Sequence, residues 1–411
     1  MTIPAAPVRP ADVLSAVLAN DSHAVALRHG DRSWTWRAFT ARVRAAAGML
    51  DGLGVLPGDR VAHLAGNDPA TLEIALACAW IGAVYVPING RATEGQAAYI
   101  VDDASAPVLL AGEGRAERMS RVRVLMPHLR ELVDMERSYE LLLAEAPTTT
   151  RRVEVTGDAP FCQLYAAGRD GFPRGAVLTH AAMASVCDAL ADAIGLTPSG
   201  VSLVVTPMSR VAALSQALMA VRHGAETVIM PEVSAPAVLD AIEARRVTHT
   251  FVPPTLLAAM AAEPGAAGRD LSSVVNLAYG AAPMPPSMIR AVGSVLRTNL
   301  LQVYGVTEAA GATTVLPAAD HADDVRVASA GRPLPGVRLR ISDPESGDGI
   351  PDGMVGEVQV STPRAMTAYW RQPEETAAVR TPDGWLRTGD SGYLDADGYL
   401  YLVGRVTRAA A

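Results

Sequence analysis

The sequence predicts an α/β fold: two doubly wound α/β subdomains with mostly parallel sheets, plus a small distorted β-barrel. Three observations carry this expectation. At 411 residues the chain exceeds what one hydrophobic core usually supports. Short apolar runs alternate with helix-length segments across short connections, in the first half and again in the second. Beyond about residue 330, glycine and proline punctuate brief alternating runs with no long helix between them.

In order along the chain, residues 60–64 read as a strand, 70–81 as an apolar helix and 83–87 as a second strand. A helix over 94–103 precedes a strand over 107–110. The rhythm returns as a strand at 202–206, a helix at 211–221 and a strand at 226–230. A helix at 237–245, a strand at 248–252, a break at Pro253-Pro254 and a helix at 256–262 follow. Strands linked through helices by short loops imply parallel pairing. In the last part, Gly331, Pro333, Pro335, Gly336, Gly347, Gly349 and Gly353 interrupt runs such as 337–341 and 356–360, the pattern of a small antiparallel barrel. The expected division is a first subdomain over 1–180, a second over 181–328, a barrel over 329–404 and a hinge remnant over 405–411. The three terminal alanines read as an added tail, with a further C-terminal domain absent.

Composition excludes several function classes. The formal charge of −8, from 35 basic and 43 acidic residues, is spread along the chain and leaves no footprint for nucleic acid or anionic lipid. No stretch approaches the length of an apolar membrane span, and the N-terminus, with Pro4, Pro7 and Pro10, lacks a leader pattern. Cys78, Cys162 and Cys187 show no metal-ligand spacing and no secreted framework, so a cytoplasmic setting is expected. All 35 basic residues are arginine. A bias toward Ala, Arg, Gly and Pro accounts for the missing lysine without removing its consequence: this chain cannot supply a lysine amine.

The segment Tyr165 to His180 sets Gly168, Gly171, Pro173 and Gly175 in a loop between an apolar run and an expected helix. Glycines let a backbone approach phosphate oxygens, and Arg174 offers the neutralising charge. The loop does not match the Gly-x-x-x-x-Gly-Lys-Ser/Thr pattern, and alone it reads better as a surface turn. Gly112-Glu113-Gly114 follows a strand but lacks the third glycine and the helix of a dinucleotide fingerprint. Further segments follow in order: Asn276 to Pro283, Gln302 to Glu308, Gly356-Glu357 through Tyr369-Trp370, Trp385 to Asp390, and Gly404-Arg405.

Together these segments resemble the adenylate-forming superfamily, of acyl-CoA synthetase or AMP-binding type. Its phosphate loop reads Tyr-Thr-Ser-Gly-Thr-Thr-Gly-x-Pro-Lys-Gly, and its Tyr-Gly-x-Thr-Glu signature is met outright from Tyr304 to Glu308. The resemblance spans nearly the whole chain and corresponds to the large N-terminal domain. It implies attack of a carboxylate on the α-phosphorus of ATP, giving acyl-AMP and pyrophosphate, usually followed by a thioester with CoA or an acyl carrier protein. ATP or AMP and Mg2+ are the implied cofactors, with CoA as a further candidate. A carboxylic acid is the implied partner, and a homodimer is compatible with the family.

Carried over residue by residue, the resemblance puts Gly168, Gly171 and Arg174 at the phosphates, and Gly280, Ala281, Ala282, Pro283 and Tyr304 around the adenine. It puts Asp390 on the ribose diol, Thr307 at the α-phosphate, Glu308 on magnesium, and Arg405 at ribose or phosphate. Tyr279, Gly305 and Arg210 fall in the substrate pocket. The chemistry suits these residue types: an aromatic face meets a base, and a carboxylate offsets the charge of a metal-bound triphosphate. A lone tyrosine would otherwise be core packing, and a lone Gly-Asp a turn.

Four positions that carry hydroxyls in the family's phosphate loop are Ala166, Ala167, Arg169 and Asp170 here, and its lysine is Arg174. Losing two hydrogen bonds to charged phosphates would cost roughly 3–6 kcal/mol, about a hundredfold or more in binding. Asp170 adds like-charge repulsion. The chain is therefore expected to hold AMP or acyl-AMP better than ATP. Arg210 stands where many relatives carry histidine; it either faces solvent or pairs with a second substrate carboxylate. Arg408 stands where the family has an acidic residue, ahead of a domain that contributes a catalytic lysine. Two functions fit: an acid-adenylating enzyme present as its large domain, or an impaired relative that binds AMP or an acyl ligand, or acts as a scaffold.

Overall fold

A computed structural model of the chain describes residues 12–20, 22–147, 152–168 and 171–406. Arg169 and Asp170 of the glycine loop, Arg408 and the N-terminal prolines lie outside the described residues.

The described residues form three sheets. The six-stranded sheet runs, in spatial order, Glu131–Asp134, Val108–Ala111, Arg60–Ala65, Val84–Asn89, Pro160–Ala166 and Arg174–Thr179. All its pairings are parallel except the last. The nine-stranded sheet runs Arg332–Pro333, Gly311–Leu316, Leu300–Val306, Asn276–Gly280, His249–Val252, Val201–Val204, Glu226–Ile229, Val25–His29 and Arg32–Thr35. Its centre is parallel and its edges antiparallel. The α/β expectation with mostly parallel sheets is met. The hairpin over 25–35 crosses over to pair with Glu226–Ile229, so the strands of the six-stranded sheet come from residues 60–179.

The expected barrel is instead an open antiparallel sheet of four strands, Arg338–Ser342, Gly356–Ser361, Leu386–Leu394 and Leu400–Arg405 in sequence order. Its two edge strands do not pair with each other; it closes against the nine-stranded sheet, where the amides of Ala330 and Leu400 donate to the carbonyls of Leu400 and Gly331. Backbone satisfaction thus comes from a neighbouring sheet rather than from closure on itself.

Local chemistry explains the elements that position the cleft. Helix Ala70–Ile81 has no polar face because it is buried on all sides, and Gly82, in the left-handed region at φ 74°, ends it. A Thr93–Gln96 capping box starts helix Glu94–Asp103. The expected break at Pro253-Pro254 is a helix start, since Pro254 opens helix Pro254–Ala262 where its missing N–H has no partner to lose. The largest core cluster joins the six-stranded sheet and helix Ala70–Ile81 to helices His180–Ile194 and Val211–Arg222. A second cluster fills the far face of the nine-stranded sheet, under helices Ala235–Arg245, Pro254–Ala262 and Pro286–Leu296. Residues 366–370 stitch the third sheet's lead-in to the first: the Thr367 and Trp370 amides donate to the carbonyls of Val177 and Gly175 at 2.9 and 2.8 Å.

Candidate nucleotide and acid site

Where the three sheets meet, a cavity of about 570 Å³ opens. One end is walled by Ala166, Ala167, Thr307, Glu308, Thr388 and Arg405. The other runs between helices His180–Ile194 and Val211–Arg222 and the parallel strands His249–Val252 and Asn276–Gly280. Ala281 and Thr307, just past the carboxyl ends of strands Asn276–Gly280 and Leu300–Val306, stand where ligands usually bind in this architecture, and from there the cavity runs along the sheet face to His249 and Asn276.

Asp390 is not itself in the cavity wall but stands next to the first end, two residues from Thr388 and paired with Arg405. It sits in strand Leu386–Leu394 directly opposite Arg405 of strand Leu400–Arg405, and Arg405 Nη1 donates to its Oδ1 at 2.7 Å. Tyr304, from the nine-stranded sheet, donates its hydroxyl to Oδ2 at 2.7 Å. The Asp390 side chain is only 14% exposed, whereas Arg405 is 74% exposed. Burial, reinforced by the Asp390 charge, pushes the Tyr304 hydroxyl well above its ordinary pKa, so it stays a donor. Each carboxylate oxygen retains a lone pair for a diol.

A β-bulge between Tyr304 and Gly305 breaks the pairing with strand Gly311–Leu316, and beyond it Gly305, Val306, Thr307 and Glu308 all line the cavity. Gly305 is required there: a Cβ would collide with the Gly311 carbonyl. Glu308 Oε1 accepts from the Tyr369 hydroxyl at 2.5 Å, and the Glu308 carbonyl accepts from the Met366 amide at 2.7 Å. Ala281 also lines the cavity, and it is held at φ 64°, a conformation that costs free energy for a residue with a Cβ.

Of the residues expected in the site, Ala281, Arg210, Gly305, Thr307, Glu308 and Arg405 share this cavity. Arg210 is exposed and forms part of two walls, since a neighbouring pocket of about 490 Å³ also uses it, together with Gly171. Other expectations need correction. Tyr279 does not line the cavity. Alternation along Asn276–Gly280 turns Asn276 and Ala278 to it and sends Tyr279 to the opposite face, beside His321 Nε2 at 3.1 Å. Gly280 is buried with no room for a Cβ against the Val303 carbonyl, and Ala282 and Pro283 are exposed on the turn beyond. Tyr304 supports Asp390 rather than forming part of the cavity wall.

The glycine loop also differs from expectation. It joins two antiparallel strands, with Ala166 paired to Arg174, so strand Arg174–Thr179 stands between the loop and the expected helix, His180–Ile194. Gly171 lies at φ 85°, and its amide donates to the Gly168 carbonyl at 3.4 Å. Arg174 is buried, with Nη2 3.1 Å from Glu375 Oε1. The basic group expected at the phosphates is thus held by helix Pro373–Ala378.

Residues not anticipated from the sequence supply much of the second end: Leu190, Ile194, Ser215, Gln216, Met219, His249, Phe251 and Asn276. The alternation of 276–280 could have revealed Asn276; nothing local singles out Gln216, beside Ser215 in a mostly apolar helix. His249 is held below its ordinary pKa by burial, and its Nε2 lies 3.0 Å from the Ile194 carbonyl, so this end carries no positive charge from it.

Known proteins resemble this chain in sequence and in fold. The AMP-binding enzyme family matches residues 14–370. The fatty acid–[acyl-carrier-protein] ligase ScoC of Streptomyces coeruleorubidus is 32% identical over 92% of this chain and 73% of its own length. A feruloyl-CoA synthase of an Amycolatopsis species is 36% identical over 93% of this chain and 76% of its own. Among solved structures, the N-terminal domain of FACL13 from Mycobacterium tuberculosis aligns with TM-score 0.90 at 28% identity, covering 96% of this chain and 100% of that one. The amide bond synthetase McbA of Marinactinospora thermotolerans aligns with TM-score 0.87 at 31% identity, covering 96% and 79%. With its cleft between sheets, its Tyr304–Asp390–Arg405 cluster and these matches over most of its length, the chain belongs to the AMP-binding enzyme family.

Proposed function

We propose that the chain activates an apolar acyl or aryl carboxylic acid by adenylation, gripping the nucleotide chiefly by its sugar and α-phosphate. The substrate carboxylate attacks the α-phosphorus of ATP, the bond to the β-phosphate oxygen breaks, and pyrophosphate leaves with its electron pair. Asp390, already oriented by Tyr304 and Arg405, accepts from the ribose hydroxyls. Thr307 donates to the α-phosphate, and Arg405, largely exposed beside it, adds positive charge.

Glu308 is the residue that would hold magnesium. It is a single carboxylate on the cavity wall, and no cluster of three candidate ligands occurs among the described residues. That suits an ion which takes one or two carboxylates and completes its shell with water and phosphate oxygens. Bound there, the ion offsets phosphate charge. Transfer of the activated acyl group to CoA or to a carrier protein fits the relatives, a CoA synthase and a carrier-protein ligase among them.

The observation that carries this reading is the Asp390 carboxylate held between donors from two sheets at the edge of an acid-sized apolar cavity. Acid-dependent ATP–pyrophosphate exchange, measured with millimolar ATP over a panel of apolar carboxylic acids, tests it. Exchange with at least one acid is expected. A flat panel from protein that still binds AMP would favour the non-catalytic alternative, toward which the missing lysine and the Arg174–Glu375 pair already lean.

A further inference from the structure

We infer that Tyr369 is a positioning residue for magnesium: its hydroxyl holds one oxygen of the Glu308 carboxylate and leaves the other, Oε2, as the metal ligand. This rests on the proposed reading of Glu308 as the residue that holds the ion.

One short segment fixes Glu308 at two points. Residues 366–370 run beside strand Arg174–Thr179, where the Thr367 amide donates to the Val177 carbonyl, the Val177 amide donates to the Ala368 carbonyl at 3.0 Å, and Ala176 bridges to Tyr369. From this strap the Met366 amide donates to the Glu308 carbonyl, and the Tyr369 hydroxyl donates to Glu308 Oε1. The strap is itself held. The Tyr369 amide donates to Thr376 Oγ1 at 2.9 Å, and the Arg60 guanidinium lies over the Trp370 ring, 3.4 Å from its centroid. Tyr369 is 6% exposed, so close packing leaves its hydroxyl little room to move.

Among the described residues the Tyr369 hydroxyl is the one group bonded to the Glu308 side chain. Oε2 accepts no bond among the described residues and is open to solvent. A carboxylate that samples several rotamers must be ordered when an ion binds, at a cost in affinity, and a carboxylate already held avoids that cost. Hydrogen bonds to ligating side chains commonly change metal affinity by about ten- to a hundredfold. A neutral hydroxyl also orients the carboxylate without cancelling the charge that attracts the ion, which a guanidinium partner would do. Through the same strap, the residue for the metal is set in register with the strand that leaves the glycine loop.

Calorimetric titration with ATP, once with magnesium and once with a chelator, isolates the contribution of the metal. By linkage, the ratio of the two affinities reports how much more tightly the ion binds the protein–ATP complex than free ATP. In Tyr369→Phe, which keeps the ring and removes the hydroxyl, that ratio should fall about tenfold, while AMP titrated with chelator binds as in the wild type. Glu308→Gln should lower the ratio at least as far. Adding Tyr369→Phe to it should change nothing more, because the tyrosine acts through Glu308. An unchanged ratio in Tyr369→Phe, a matching loss of AMP affinity, or a further loss in the double variant would overturn the inference while leaving Glu308 as the residue for the metal. A ratio unchanged in Glu308→Gln would instead remove that reading of Glu308, and the inference with it.

Discussion

Beside one end of the cleft, Asp390 collects hydrogen bonds from strands of two different sheets, and its partners hold it as a fixed acceptor. At the glycine hairpin, the basic residue expected at the phosphates is buried and tied to Glu375. One region is preorganised for a ligand; the other has its cation engaged by the protein itself. On the proposed reading, recognition is shared unevenly along the nucleotide, with the sugar end carrying more of it. Preorganised acceptors lose little on binding, whereas a paired cation must first give up a partner.

Removing the stronger side of the comparison should have the largest effect. Asp390→Ala deletes two charge-assisted hydrogen bonds to the ribose, and AMP affinity measured by calorimetry should fall about a hundredfold. A loss under about threefold would mean that the sugar is held elsewhere.

A medium effect should come from pH and separates the stability of the scaffold from the grip of the clamp. Burial depresses His180 to about 4 and His63 to about 3. His180 has neither ring nitrogen bonded, while His63 Nδ1 lies 2.9 Å from the Tyr85 hydroxyl. Their unfolded values lie near 6.5. Between these limits the unfolded state binds more protons, so stability is full above about pH 6.5 and is lost as pH falls toward the folded values. Denaturant midpoints taken between pH 7 and pH 5 should decline, with a limiting slope of about 1.4 kcal/mol per pH unit for each histidine. His180→Phe, placed beside Phe161 at a ring separation of 5.2 Å, should flatten that slope. An unchanged slope would show that His180 does not drive it.

The smallest effect sharpens the weaker side. Wild-type protein should bind AMP more tightly than ATP with magnesium. Glu375→Gln, which releases Arg174 from a partly exposed ion pair worth about 1 kcal/mol, should improve ATP binding about fivefold relative to AMP. ATP binding equal to or tighter than AMP in the wild type would refute the contrast itself.

Much of the scaffold was legible. Helix Ala70–Ile81 was readable to the residue because its apolar run ends on a glycine, and helix Glu94–Asp103 has the bounds expected for it. Asp390 and Arg405 were found as motif residues, and the structure brings them together with Tyr304. Tyr279 was misplaced because a motif names a segment, not which of its alternating side chains faces the ligand. Gln216 was missed because its role depends on Leu203 and Ser202, which lie on another element. Arg174 looked available because its partner stands two hundred residues away in the sequence, at Glu375.

From its residues alone this chain specified alternating strand and helix, parallel pairing, the order of its nucleotide motifs and the absence of any lysine. Only the tertiary structure decided that the last four long strands stay open, that Arg174 is paired, and that Gln216 and Asn276, from different elements, come to one cavity. Periodicity and capping act within one element and are written in neighbouring residues. The direction of a buried polar group is set by partners that only the packed chain brings within hydrogen-bonding distance.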